Sequence, residues 1–396
     1  MKYAVIFACC LHIGTMVFTQ ETAQYLDLTG ISSHGQKDIY NLEVNAYCES
    51  KLQEISGEKF KIPSCKMTYN DIPLEIKSCK IRGHSTLYFK RKSFSIALNE
   101  PVLRGGSEIK KLALNCLSMD RHYYRNRLSF LLMEQLDIFP LQNNFAELRI
   151  NGHTAGLYLE VQKPEDFIRA MECPLLVRRE YEGRYTMEYS DAKDSKRQIK
   201  RLRKIPKLIK ELEGKKLYDS LNAVIDMNHY FKWLAFNYIV KNGDYTDELF
   251  LYLREKENRF DIIPWDYDDI FRSEPHDGFE KRNKILDHQL LFSAEAVLDI
   301  VIDRDEFLYL KFLNSFQEVL EILTPDVLKD AFEQVFWELY PYYSDQELIS
   351  QSESDSYGLT TLGDLKTDLL HKYQATLSHM KSIGSIIDAE LKRQSE

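Results

Sequence analysis

The 396 residues carry 52 Lys and Arg against 61 Asp and Glu, a net charge of −9, which excludes the basic excess of a nucleic-acid binder. A composition 44 % hydrophobic and 29 % charged excludes general disorder, and 16 Gly with 11 Pro exclude a collagen-like or low-complexity chain. The 24 Tyr and 21 Phe supply both core and stacking surface.

Lys2 begins a short positive region, and Ala4 to Phe18 form an apolar stretch broken only by Cys, His, Gly and Thr. A membrane span needs about 20 apolar residues, so the stretch suits a secretory leader better. Thr19 before Gln20 offers a cleavage point, and residues 1–19 are read as a signal peptide, with a buried N-terminal helix as the alternative. The expected location is therefore secreted, periplasmic or in the cell envelope. No later run is long and apolar enough to span a bilayer. Cleavage leaves Cys48, Cys65, Cys79, Cys116 and Cys173, without zinc-ligand spacing. Cys65 and Cys79 flank a hairpin-like segment and could form a disulfide; the alternative is small buried hydrophobes.

Residues 20–164 read as a β-rich N-terminal lobe. Alternation marks strands over 41–46, 74–77 and 93–98, and Leu128, Leu131, Leu132 and Leu136 mark a helix. Asn151-Gly152 between two alternating runs predicts a hairpin. From Glu165 the period changes, and residues 165–396 read as a helical lobe. Helices are predicted at 196–213, 217–222, 226–241, 284–300, 304–321, 325–338 and 361–392. One strand pair is embedded there, 249–253 and 260–263. The fold class is α+β, in two lobes.

Asp226 is placed to cap the 226–241 helix, which stops at Lys241-Asn242-Gly243-Asp244. The embedded hairpin returns the chain to Pro264-Trp265-Asp266-Tyr267-Asp268-Asp269, so Asp244 and Asp266 should lie near each other. Clustered carboxylates suit a hard cation such as Mg²⁺, although the same residues also read as a turn and a solvated loop. A second locus, Lys80 to Phe94, centres on Gly83, where backbone N–H groups could meet phosphate; a strand–turn–strand with a basic rim is the plainer reading. The basic run 196–204 and the acidic, Ser-rich stretch 350–357 read as a solvated helix face and an exposed loop.

Together these loci resemble the spore-coat CotH kinase family, secreted or envelope-associated proteins of atypical protein-kinase-like fold. The matching residues are Arg82-Gly83-His84-Ser85-Thr86 with Arg91-Lys92-Ser93-Phe94, then Asp120, Arg125 and Asn126. They continue through Ile150, Asn151, Gly152, Gly156 and Tyr158 to Asn242, Asp244 and Pro264-Trp265-Asp266 with Asp268. The resemblance implies a nucleotide site at Arg82, Gly83, Ser85 and Lys92, with Lys92 as the phosphate lysine. It also implies Asp244 as the base for the acceptor hydroxyl and Mg²⁺ (or Mn²⁺) on Asp266, with Asp268 nearby. Relatives carry an Asn about five residues past the base, as a second metal ligand. Here the segment is one residue shorter and offers Asp247 or Glu248, so Glu248 joins the metal candidates. The implied activity is transfer of the ATP γ-phosphoryl group to Ser/Thr hydroxyls of an exported protein. The alternative is a pseudokinase-like binding or scaffold protein.

Overall fold

Apolar alternation over residues 39–162 builds one large sheet, because period-two patterning gives each strand a face to bury. A computed structural model describes residues 26–29, 36–55, 57–83, 85–104, 107–180, 183–247, 249–353 and 357–395. Residues 1–19, expected as a signal peptide, and His84 and Glu248 lie outside the described residues. The chain runs β1 (Ile39–Val44), α1 (Ala46–Gln53), β2 (Lys61–Ile62), β3 (Cys65–Tyr69), β4 (Ile72–Leu74) and β5 (Ile76–Arg82). After a single 3-10 turn at Ser85–Tyr88 come β6 (Ser93–Arg104), β7 (Ser107–Asn115), α2 (Arg125–Gln135), β8 (Asn143–Ile150) and β9 (His153–Gln162). The nine strands lie in the order β2-β5-β6-β7-β9-β8-β1-β3-β4, and β1 runs parallel to β8. Asn151 and Gly152 both take positive φ, 52° and 84°, which makes the tight turn of the β8–β9 hairpin.

The second half runs α3 (Pro164–Ala170), β10 (Leu175–Glu180), β11 (Arg184–Ser190), α4 (Ser195–Leu202), α5 (Ile205–Glu211), α6 (Gly214–Asn222) and α7 (Met227–Val240). Then come β12 (Leu249–Arg254), β13 (Arg259–Pro264), α8 (Gly278–Ile285), α9 (Val297–Arg304) and α10 (Glu306–Ile322). The chain closes with α11 (Pro325–Tyr343), α12 (Gln346–Gln351) and α13 (Leu362–Ser395). The embedded hairpin is not alone: β10 and β11 join it in a four-stranded sheet, β11-β10-β12-β13. Leu175-Leu176-Val177 lacks alternation because all three are buried, which hides β10 from a period-two reading.

The helix predicted over 284–300 is broken into α8 and α9. Between them Arg282 donates to the Leu291 carbonyl at 2.9 and 2.6 Å, and the Asp303 carboxylate accepts the N–H groups of Asp287 and His288. Side chains thus satisfy backbone groups that a helix would have paired. The run 196–204 presents a solvated face, yet Gln198, Ile199 and Leu202 are buried beneath it. All five described cysteines are free thiols, and Cys65 hydrogen-bonds to Cys79.

One face of the main sheet packs Tyr40, Leu42, Phe94, Ile96, Leu112 and Tyr158 into a core of its own. The other face joins the helices through Leu157, Leu159 and Val161. Part of the 350–357 stretch, expected as an exposed loop, is a clamp between sheet and helices. Ser352 is fully buried; its Oγ accepts the Leu157 N–H at 2.7 Å, and its carbonyl accepts from Arg91 Nη1 at 3.0 Å. This explains Gly156, whose φ is +100° and where an added Cβ would stand 2.8 Å from Ser352 Oγ and 2.9 Å from the Gln351 carbonyl. Gly156→Ala should cost about 1–3 kcal/mol of stability through positive φ and overpacking. Urea unfolding checks this; an unchanged midpoint would refute the close approach.

Candidate active site

The site begins at the start of α7. The Asp226 carboxylate caps this helix, accepting the N–H groups of Asn228 and His229 at 3.2 and 3.4 Å. After the fourteen residues of α7, Lys241, at φ 50°, ends the helix in the left-handed conformation, the role expected of Asn or Gly. Asn242 is free instead to act through its side chain. Fully buried, it bonds Asn237 Oδ1 and accepts the Asp244 N–H at 3.1 Å, fixing the turn that presents Asp244.

Leu249 then pairs with Pro264 at the open end of the β12–β13 hairpin. That register brings the residues before β12 beside those after β13, as expected for Asp244 and Asp266. The loop carrying Asp266 is held tightly. Asp266 takes φ 55°, and the Asp268 N–H donates to its carboxylate. Asn126 Oδ1 accepts the Tyr267 N–H at 2.7 Å, and Arg125 Nη1 donates to the Asp268 carbonyl at 2.9 Å. Asp120, fully buried, in turn accepts the N–H groups of His122 and Arg125. The Asp120–Arg125–Asn126 element is thus the buttress of the acidic loop.

Charge dominates this cleft. Burial first, then the charges of Asp247, Asp269 and Asp266, push the Asp244 carboxyl up to about 6, with His276 working in the opposite direction. His276 Nδ1 stands 4.0 Å from Asp244, and its Nε2 stands 2.9 Å from Asp269. Burial also raises the Asp266 carboxyl, while Arg82 and Arg178 pull it back. Asp266 is surrounded by protein yet keeps solvent access. Gly243 lets the 269–276 segment press on this turn, because a Cβ there would lie 2.4 Å from Asp269 Oδ2.

The opposite wall differs from expectation. Arg82 lies over the Trp265 ring, 5.6 Å from its centre, and donates to Asn115 Oδ1 at 3.0 Å. Gly83, at φ 112°, is required by the turn: a Cβ would fall 2.0 Å from Thr86 Oγ1. Ser85 opens the 3-10 turn. Lys92, however, lies on the other face of the sheet, in a cavity it shares with Phe94 and Tyr158. It is buried, and its Nζ donates to the carbonyls of Leu87 and Phe89 at 2.7 and 2.6 Å. The structure therefore brings Asp244, Asp266, Asp268 and Arg82 to one region and does not bring Lys92 with them. Among the described residues, the metal-type donors converging within 4.8 Å are Asp226, His229 and Asp261. Arg254 and Arg259 already neutralise that group, at 2.5 and 2.7 Å from Asp226.

A family model described as CotH kinase protein matches residues 79–357. The chain belongs to the CotH kinase family. It is 25 % identical to inner spore coat protein H of Bacillus subtilis (strain 168) over 258 residues, 60 % of this chain and 70 % of that protein. Two solved structures overlap it at TM-scores of 0.31 and 0.29, too low to carry a structural argument. The first is the Helicobacter pylori proinflammatory kinase CtkA, with 7 % identity over 70 % of this chain and 94 % of that one. The second is the Shewanella oneidensis MR-1 HipA–HipB–operator DNA complex, with 13 % identity over 73 % of this chain and 65 % of that one.

The donor set of this CotH-family cleft fits a divalent cation shared with a phosphate. Its hard carboxylate oxygens repel one another but do not converge on one point, and Mg²⁺ takes one or two carboxylates plus phosphate oxygens and water. Asp266 and Asp268 are the residues that would hold it. Arg178 and His276 were missed as site residues, because Arg178 reaches the site through the pairing of β10 with β12 and His276 through the loop that follows the acidic segment. Asp247 was read only as the alternative to Glu248, and Asp269 only as part of an acidic run. Arg125 and Asn126 stood in a matching element without an assigned role. Lys92→Met should lower stability by about 1–3 kcal/mol, since it removes the donor to the buried Leu87 carbonyl and to the half-buried Phe89 carbonyl. Chemical denaturation measures this; wild-type stability would mean that the ammonium is not needed there.

Proposed function

We propose that this protein transfers the ATP γ-phosphoryl group to Ser/Thr hydroxyls of an exported or cell-envelope protein, after its own export through the 1–19 segment. The observation carrying this reading is the approach of Asp244 to Asp266 across one hairpin, with Arg82 and Arg178 acting on Asp266. Phosphoryl transfer needs positioning and charge neutralisation more than covalent chemistry, and the cleft is built of those elements. A divalent cation, when bound, would neutralise phosphate charge and screen the carboxylates from one another. Arg82, from the main sheet, and Arg178, from β10 beside the hairpin, add fixed positive charge near Asp266. An acceptor hydroxyl beside Asp244 gives its proton to that carboxylate while its oxygen bonds the γ-phosphorus. The bond from that phosphorus to the β-bridging oxygen breaks, and ADP departs. Asn242 and Gly243 keep the base in place.

Asp247 favours the second reading, a nucleotide-binding scaffold. Relatives place an amide near that position, whereas here a carboxylate raises the Asp244 carboxyl. Radiolabel transfer with Mg²⁺-ATP separates the two readings. Asp244→Asn should reduce transfer by about two orders of magnitude or more and leave nucleotide affinity near wild type. Asp266→Asn should weaken Mg²⁺-ATP binding itself. Undiminished transfer in both variants would refute the assignment, and wild-type binding without transfer would favour the scaffold.

The same base sets a pH dependence. A carboxylate with a raised value near 6 is ionised above it and protonated below it, so transfer should fall as pH drops through about 6. Rate against pH checks this. A wild-type profile flat from pH 5 to 8 would remove Asp244 as the base, since about one unit on either side of 6 spans its ionisation.

A further inference from the structure

The face of the main sheet that turns toward Trp265 is basic, and its register can be followed strand by strand. Arg82 pairs with Ser93, and on the neighbouring strands Asn115 pairs with Leu159. The next row reads Lys80, Ser95, Ala113 and Val161; the one beyond it has Ser78, Ala97 and Lys111. Lys163 directly follows Gln162, which pairs with Leu112, so it falls level with Lys111 on that same face. Lys80, Arg82, Lys111 and Lys163 thus border a floor of small side chains, Ser95, Ala97 and Ala113.

Resting on the kinase reading above, we propose that Lys163, with Arg82, grips the polyphosphate of the nucleotide, the role the family resemblance gave to Lys92. Three observations support it. Lys163 is held at a defined point, as the N-cap residue of α3 with Pro164 behind it, where it cannot drift with a loop. Among the described residues its amine has no ion pair or hydrogen bond, whereas Lys111 is paired with Glu165. Burial, and then Arg82 and Lys80, push its ammonium well below the ordinary lysine range, with Glu188 as a partial counterweight.

Such crowding of like charge costs the folded protein stability and is relieved by an anion among the cations. Arg82 connects the two ends of the site: it acts on Lys163 on one side and on Asp266 on the other. An anion spanning from Lys163 past Arg82 to a cation at Asp266 needs several linked negative groups. A nucleoside triphosphate has them; a single phosphate or carboxylate does not.

The experiment compares wild type, Lys163→Met and Lys163→Arg, titrated with Mg²⁺-ATP and, separately, with adenosine. Lys163→Met keeps the side chain's length and removes its charge. It should raise the Kd for Mg²⁺-ATP by about ten- to a hundredfold, the range for losing a charged hydrogen bond. Adenosine affinity should not change, and Lys163→Arg should recover most of the loss. Without nucleotide, the melting temperature of Lys163→Met should equal or exceed that of wild type, because repulsion is removed. Wild-type Mg²⁺-ATP affinity in Lys163→Met, or an equal loss for adenosine, would overturn the proposal alone. Failure of the wild type to bind Mg²⁺-ATP would overturn the kinase reading and this proposal with it.

Discussion

The pairing of Leu249 with Pro264 is the constraint on which the site depends. Antiparallel strands return the chain to its starting point, so whatever flanks the hairpin is forced together. Here the flanks are acidic on both sides, and their mutual repulsion has to be resisted by the rest of the fold. Slipping one strand by a residue would exchange the side chains on its two faces, most of which are buried and packed, and would shift Asp266 relative to Asp244. Burial of the hairpin's apolar residues therefore holds the acidic groups in place.

The same economy appears in the supports around the cleft. Asn126 and Arg125 use side chains to hold backbone atoms of Tyr267 and Asp268, leaving the Asp266 carboxylate open to solvent. Asn242 does the same for Asp244. Gly156 and Gly243 act by what they lack, one admitting α12 and the other the 269–276 segment. Such residues set the angles at which the acidic groups meet.

What could be read beforehand follows from how local each feature is. The β8–β9 hairpin was legible because Asn151-Gly152 favours positive φ in both residues. The approach of Asp244 to Asp266 was legible because one hairpin separates them. The face taken by Lys92 was not, since it precedes β6 and its direction depends on the turn it ties down. Arg178 and Lys163 were hidden for a similar reason, because their importance arises from strands paired far along the chain. The break between α8 and α9 came from Arg282 and Asp303, side chains that take over backbone hydrogen bonds. Periodicity cannot register such a substitution.

At the far end of the hairpin a second charged cluster anchors the first. Asp226 receives Arg254 and Arg259, while Asp261 pairs with His229 at 2.8 Å and meets Arg254 at 3.4 Å. These contacts join both hairpin strands to the first turn of α7, the helix whose other end carries Asp244. Burial disfavours the charged form of His229, but its hydrogen bond to Asp261 outweighs that, and the imidazole is raised above its usual value. A raised histidine stabilises the fold fully below its unfolded value, about 6.5, and loses that contribution as pH rises through the folded one. Asp244 works in the opposite sense, gaining its basic form as pH rises past about 6. The charged His229 anchor and an ionised Asp244 thus coexist only between the Asp244 value and the raised His229 value. One helix therefore ties the ionisation that holds the hairpin to the ionisation that would make the site reactive.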